Sequence, residues 1–135
     1  MSQAVGIDIV RVSRFEKWCS FSERSLKRVF HEKEVERLKE ILSSNIPEKL
    51  KLQRASQFLA SRFAVKEAFY KVLCSIENEE KIEIPDFLHL CKNVYVKKGP
   101  RGEPLLSHSL NLPQKMVFSI SVAHETCCAV AIVIY

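Results

Sequence analysis

The chain has 135 residues, of which 47% are hydrophobic and 27% are charged, and this predicts one globular domain over residues 1–135. Such a composition excludes disordered and collagen-like proteins. No apolar run reaches the roughly 18 residues of a membrane-spanning helix, and residues 1–8 lack a secretory signal pattern, so we expect a cytoplasmic protein with no membrane partner.

The beginning of the chain is predicted to form a strand followed by helical turns. Residues 5–10 are mostly apolar, which is typical of a short buried strand. Ser13 and Glu16 have the spacing of a capping box, in which each side chain binds a free backbone N–H of the other residue. A helix is therefore predicted to start at Ser13, with further helical turns over residues 22–30.

Two longer helices are predicted next. Residues 31–42 are rich in Glu, Lys, Arg and Leu, which favours an exposed helix, and Pro47 interrupts this pattern. Residues 48–75 contain no proline or glycine, and their apolar residues recur at helical spacing. This segment is the longest predicted element.

The second half of the chain is predicted to contain mainly strands. An acidic connection over residues 77–85 precedes an alternating strand at 93–97, and residues 99–104 have the composition of a turn. Two β-rich runs, 116–122 and 128–134, predict a closing hairpin. We therefore predict an α+β fold in which a long central helix packs on a mostly antiparallel sheet.

The charges and the residue counts restrict the kinds of site that the chain can form. Residues 11–28 and 48–71 each hold six basic and two acidic side chains, which suggests an anionic partner, although a solvated surface explains them equally well. The five cysteines and four histidines lack the spacing of a zinc site, and three glycines cannot form a nucleotide-binding loop. Phosphate binding would therefore depend on side chains and a metal.

Two carboxylates stand out. Asp8 interrupts the apolar run of the first strand, where it is either an acidic ligand in a cleft or a residue that faces solvent at the strand end. Glu67 lies opposite the main apolar stripe of the long helix, in line with Ala60, Ala64 and Lys71. A Glu67–Lys71 pair would also be an ordinary helix stabiliser worth about 0.2–0.5 kcal/mol.

Together, these two carboxylates could hold one Mg²⁺ ion, which binds few protein carboxylates and completes its shell with substrate phosphates. Three cationic side chains on the same helix would neutralise phosphate charge if a ligand bound nearby, and would otherwise be surface residues: Arg62, Lys66 and Lys71. The pattern suggests metal-assisted chemistry on a phosphate ester or anhydride, and the residues alone predict nothing finer.

Three segments together resemble the signatures of the holo-[acyl-carrier-protein] synthase family, the small stand-alone type of 4'-phosphopantetheinyl transferase. They are the GIDIV of residues 6–10, the FLASRFAVKEAFYK of residues 58–71 and the ISVAH of residues 120–124. The GEP of residues 102–104 is similar to a G-K-P turn of the family. The order and spacing match over nearly the whole chain, so the resemblance implies a single domain with that family's fold.

The resemblance also implies an activity. Family members transfer the 4'-phosphopantetheine arm of coenzyme A to a serine of apo acyl carrier protein, in fatty acid biosynthesis, and release adenosine 3',5'-bisphosphate. Asp8 and Glu67 match the positions of the Mg²⁺ ligands and, with Lys71, would be catalytic. The implied coenzyme A-binding residues are Arg62, Lys66, Lys71 and His124. Arg14 and Arg24 would dock the carrier protein, and a homotrimer would place the active site between subunits.

Two other functions fit the sequence less well. A non-catalytic domain that binds nucleic acid would explain the basic segments, but it leaves Asp8 and Glu67 unexplained and has no zinc-finger spacing to support it. We therefore expect no nucleic-acid partner. Transferases of broader range, which serve peptide-carrier domains, are commonly longer tandem repeats, and this chain contains no repeat.

Overall fold

A computed structural model describes residues 3–135, so Met1 and Ser2, which the predicted 1–135 domain includes, lie outside the described residues. The strands are β1 (Val5–Arg11), β2 (Val94–Lys98), β3 (Pro104–His108), β4 (Ser119–His124) and β5 (Cys128–Ile134). The α-helices are α1 (Glu23–Leu26), α2 (Glu32–Leu42), α3 (Glu48–Glu80) and α4 (Phe87–Asn93). The predicted α+β fold is confirmed, including its long central helix and its antiparallel sheet pairing.

Helix α3 is the centre of the molecule. It begins directly after Pro47 and ends where Lys81 adopts a left-handed conformation, with φ of 53°. Because apolar residues occur around most of its circumference, the middle of α3 is buried by the strands on one side and by α2 and α4 on the other. Within residues 3–135, no helix combines the length and the apolar character needed to cross a membrane.

The strands form two antiparallel sheets. The larger has the order β1-β5-β4, and β2 pairs with β3 in a separate hairpin. Alternate residues of β1 point to opposite faces, so Gly6, Asp8 and Val10 face α3. The other face of β1 is exposed and apolar: Val5, Ile7 and Ile9 are 64%, 55% and 69% exposed.

Gly6 allows β1 to pass close to α3. A Cβ atom on Gly6 would overlap the backbone carbonyl oxygen of Ala68 and would press on the side chain of Val72. The absence of a side chain at this position therefore sets the distance between the strand and the helix. It also determines how Asp8, two residues further along the same face, meets the helix.

The helix predicted at Ser13 is wrong. The chain forms two short 3-10 segments instead, Val12–Phe15 and Lys17–Ser20, and Ser13 caps neither of them. The tighter turns bury Phe15, whose ring lies 5.3 Å from that of Trp18 and 5.4 Å from that of Phe63. Aromatic packing therefore outweighs the local capping pattern in this segment.

A capping box does form, but at the start of α2. The Nδ1 atom of His31 accepts a hydrogen bond from the backbone N–H of Lys33 at 3.1 Å, and the backbone N–H of His31 donates to Glu34 Oε1 at 2.9 Å. Burial lowers the pKa of His31 below its ordinary value, which favours the neutral imidazole that this bond requires. Other differences from the predicted elements are the extension of α3 to Glu80, the additional helix α4, the additional strand β3 and the start of β4 at Ser119 rather than at residue 116.

Candidate active site

The first group of candidate site residues lies where β1 crosses α3. Lys71 Nζ donates to Asp8 Oδ1 at 3.2 Å and to the backbone oxygen of Ile7 at 2.9 Å. Glu67 lies one helical turn before Lys71 on α3, and therefore on the same side of the helix. Residues that are about 60 positions apart in sequence thus meet at one place.

Glu67 itself is half-buried, and within residues 3–135 it forms no ion pair with a Lys or Arg side chain. The helix-stabilising Glu67–Lys71 pair that the sequence allowed is not formed, because Lys71 is directed to Asp8 instead. Glu67 is consequently free to bind a cation that approaches this side of the helix.

A second group lines a groove of about 320 Å³ between α2, α3 and the end of β4. Arg62 and His124, both predicted to bind coenzyme A, are among the lining residues, together with Arg37 and Arg54. The Arg62 guanidinium lies 4.8 Å from the centre of the Phe58 ring. Burial lowers the pKa of Arg62 from its ordinary high value, an effect that nearby Glu34 opposes. Arg37 pairs at 2.8 Å with Glu40, which also lines the groove, whereas Arg54 and Arg62 form no ion pair within residues 3–135. Two unpaired guanidinium groups and an imidazole suit a phosphorylated ligand.

The two groups are separate within one chain. His124 pairs with Ala129 of β5, which pairs with Val10 of β1, so His124 lies two strands away from β1. From the spacing of strands and residues in a sheet, the Cα atoms of Asp8 and His124 are about 12 Å apart. The groove lining includes none of Asp8, Glu67 and Lys71.

Lys66 does not join either group. Its side chain is 1% exposed, and its Nζ contacts the backbone oxygens of Cys91 at 2.9 Å and Val94 at 2.5 Å. The same ammonium forms an ion pair of 2.7 Å with Glu34, which is 3% exposed. Three acceptors therefore use the three donors of the ammonium. In this structure Lys66 contacts groups inside the protein, and its expected contact with coenzyme A stays a prediction.

Arg14 and Arg24 lie on the surface, in the basic segment that follows β1. The Arg14 guanidinium is 4.8 Å from the centre of the Phe63 ring and 5.5 Å from that of Phe15. Neither arginine forms an ion pair within residues 3–135, whereas Lys27 and Lys39 both bind Glu23. Both arginines are therefore among the unpaired cations of this surface.

No group of three or more His, Cys, Asp or Glu side chains within residues 3–135 is arranged to hold a metal ion. Asp8 and Glu67 provide two carboxylates on facing elements. A hard cation that also binds substrate phosphates requires no more than this, so the donor set fits Mg²⁺ better than it fits a metal held by protein ligands alone.

Comparison with known proteins connects this arrangement to a family. The sequence model of the 4'-phosphopantetheinyl transferase superfamily matches residues 4–130. The chain belongs to this superfamily. Two of its curated relatives are holo-[acyl-carrier-protein] synthases, one from Treponema pallidum subsp. pallidum that is 34% identical over 131 residues and one from Bacillus cereus that is 30% identical over 130. Both alignments cover 96% of this chain and 92% of the relative.

A solved structure agrees with this assignment. The holo-(acyl-carrier-protein) synthase from Bacillus anthracis, crystallised in complex with CoA (3',5'-ADP), is 26% identical and superimposes with a TM-score of 0.64 over 97% of this chain and 93% of that one. The resemblance read from the three signatures is thereby confirmed. The chain is an enzyme of the holo-[acyl-carrier-protein] synthase family, within the phosphopantetheinyl transferases.

Glu34 is the residue that the sequence analysis missed. It completes the capping box of α2, pairs with Lys66 and lies near Arg62, yet its second carboxylate oxygen has no hydrogen-bond partner within residues 3–135. Its position three residues after the helix N-cap was the available signal. Glu34 positions α2 against α3, and thereby one wall of the groove.

Proposed function

We propose that this enzyme transfers the 4'-phosphopantetheine group of coenzyme A to a serine of apo acyl carrier protein and releases adenosine 3',5'-bisphosphate, as a step of fatty acid biosynthesis. The observation that carries the proposal is the contact of 3.2 Å between Asp8 and Lys71, with Glu67 one helical turn before Lys71 on α3. Residues 1–135 would act as one transferase domain in the cytoplasm. The B. anthracis relative, described as a complex with CoA (3',5'-ADP), supports coenzyme A as the donor.

Asp8 and Glu67 are the residues that would hold Mg²⁺. When bound, the ion would reduce the negative charge of the pyrophosphate link of coenzyme A, which otherwise repels a nucleophile. The side chain of Asp8 is 15% exposed, so the surrounding protein partly excludes water and strengthens its interaction with a cation. Glu67, on the rigid helix α3, fixes the second oxygen donor relative to β1.

The cationic side chains would orient the rest of the donor. Lys71, whose side chain is partly exposed, would bind a phosphate oxygen of the pyrophosphate. Arg62 and His124 would bind the phosphate groups of the nucleotide end in the groove, where the forked guanidinium of Arg62 can form two parallel hydrogen bonds. Phosphoryl transfer depends mainly on such positioning and on neutralisation of charge.

The separation of the two groups supports a site that is shared between subunits. A single ligand that contacts both the carboxylates and the groove would be bound more simply between two chains. In that arrangement β1 of one chain would face the groove of another. The outer face of the larger sheet offers an apolar surface for such an assembly, formed by β1 and β5 residues: Val5, Ile7, Ile9, Val130, Ile132 and Ile134. We therefore propose that the enzyme is a homotrimer.

The assembly can be tested with one charge on this face. We expect Ile9→Glu to convert a trimer into monomers, because an ionised carboxylate would be buried in the interface. Sedimentation velocity would give the mass. Val117→Glu is a matched control, since Val117 is 74% exposed and lies outside the sheet face. If Ile9→Glu retains the mass of the wild type, the sheet face is not the interface.

The carrier protein is expected to dock on Arg14 and Arg24. Acyl carrier proteins are acidic, so unpaired arginines on a basic surface would increase the rate and specificity of encounter. We expect Arg14→Glu to raise the KM for carrier protein by about tenfold or more, with a small change in the KM for coenzyme A. The lost contact with the Phe63 ring should cost only about 0.5–1 kcal/mol of stability.

Steady-state kinetics with each substrate varied in turn would measure this effect. Lys115→Glu makes the same change of charge outside the basic segment and should behave as the wild type. An equal rise of both KM values in Arg14→Glu would indicate a general defect and would contradict docking at this surface.

The reaction itself is tested by intact-mass spectrometry of apo acyl carrier protein incubated with the enzyme, coenzyme A and Mg²⁺, beside a sample with EDTA. A metal-dependent gain of one phosphopantetheine arm, roughly 340 Da, is the expected result for a metal-assisted transfer. No gain with several carrier proteins would overturn the proposed function, and a gain in EDTA would overturn the role of the metal.

A further inference from the structure

Asp8 has a cationic partner on helix α3. Lys71 is the one Lys, Arg or His side chain within residues 3–135 that pairs with it. The ammonium binds Asp8 Oδ1 at 3.2 Å and is held in place by the backbone oxygen of Ile7 at 2.9 Å. It therefore occupies one of the directions from which an ion would approach this carboxylate.

An ammonium and a divalent cation compete for such an oxygen. Both are attracted to the carboxylate, and they repel each other when they are close. The side chain of Lys71 is 52% exposed and has a flexible four-carbon stem, so it can leave Asp8 without disturbing the core. Asp8 cannot move in the same way, because it belongs to a strand that Gly6 holds against α3.

A phosphorylated ligand would give Lys71 another partner. The ammonium lies at the solvent edge of the site, where the pyrophosphate of the proposed substrate would arrive. Phosphate oxygens would then replace Asp8 and Ile7 as acceptors. The carboxylate would become available to the metal in the same event.

We propose that Lys71 is the resident counter-ion of Asp8, that it competes with the divalent cation for this carboxylate, and that coenzyme A removes the competition by binding the ammonium through its phosphates. This inference rests on the proposed function of the site. It makes the binding of metal and coenzyme A cooperative, and the coupling is equal in both directions. Lys71 thus limits metal binding by the protein until the donor is present.

The test measures Mn²⁺ binding by electron paramagnetic resonance, without carrier protein, so that no turnover occurs. We expect Lys71→Met to bind Mn²⁺ about tenfold more tightly than the wild type when coenzyme A is absent, a coupling of ordinary size. Coenzyme A should then tighten Mn²⁺ binding by a larger factor in the wild type than in Lys71→Met. Protein-free samples correct for Mn²⁺ bound by coenzyme A alone.

Two further variants make the result decisive. Lys92→Met removes the same charge from α4 and should match the wild type, which excludes an effect of net charge. Asp8→Asn should abolish Mn²⁺ binding. If Lys71→Met binds Mn²⁺ no more tightly than the wild type, while Asp8→Asn does not bind Mn²⁺, the proposed competition is wrong. The metal site of the proposed function would then still stand. Wild-type Mn²⁺ binding by Asp8→Asn would instead overturn the metal site of the proposed function, and the competition with it.

Discussion

Replacement of Asp8 or of Glu67 by alanine is expected to lower phosphopantetheine transfer by more than about a hundredfold, the size of effect that follows loss of a group stabilising charge in the transition state. Each variant would leave a single carboxylate for the cation. Stability should change little, because the Asp8–Lys71 pair is partly exposed and such pairs contribute about 0–1 kcal/mol.

The measurement is the initial rate of transfer at saturating coenzyme A and Mg²⁺, with thermal unfolding recorded for each variant. Glu36→Ala is a suitable control, since Glu36 is an exposed carboxylate on α2 and forms no ion pair within the described part of the chain. Full activity of either Asp8→Ala or Glu67→Ala would show that the metal ligands have been assigned to the wrong residues.

The second large effect concerns the buried pair of Glu34 and Lys66. We expect Lys66→Met to lower the free energy of unfolding by about 3–5 kcal/mol, because it leaves a buried carboxylate without its counter-charge. Glu34 would keep only the backbone N–H of His31 as a donor. A domain of ordinary stability has about 5–15 kcal/mol in total, so this variant is expected to unfold at much lower urea concentration.

A double variant separates this explanation from a direct role in substrate binding. Lys66→Met combined with Glu34→Leu removes both charges and should recover much of the stability, apart from about 1 kcal/mol for the lost helix cap. Urea titrations of the two single variants and the double variant would give the coupling. If Lys66→Met is as stable as the wild type but binds coenzyme A poorly, the lysine reaches the substrate as the family resemblance first implied.

The different fates of Lys66 and Lys71 show what a motif predicts and what it omits. The KEAFYK string identifies both lysines, but five residues correspond to about 140° of helical rotation, so the two cannot lie on the same side of α3. Lys66 is on the side of α3 that has a buried partner, because Glu34, 32 residues earlier in the chain, lies there. That contact depends on how α2 packs against α3, and a local pattern holds no information on it.

Other parts of the fold were predictable to different degrees. α3 could be predicted because a long segment with helical apolar spacing and no proline or glycine favours a helix over other structures. β1 could be predicted because the residues on both sides of Asp8 are apolar. The segment after β1 could not, since the burial of Phe15 decides its conformation and the residues that bury it come from elsewhere. Helix α4 had a signal that was overlooked, namely Asp86, whose carboxylate accepts the backbone N–H of His89.

The alternation along β1 makes this strand unusually intolerant of a change in length. Ile7 and Ile9 lie on the outer face, and Asp8 lies between them on the inner face. Deletion of a single residue between Asp8 and the end of the strand would reverse the two faces for every residue before the deletion. Isoleucine side chains would then be pressed against α3 where Gly6 now fits, and the carboxylate would be turned away from Glu67. Substitutions can adjust this strand one face at a time, whereas an insertion or deletion would damage both faces at once.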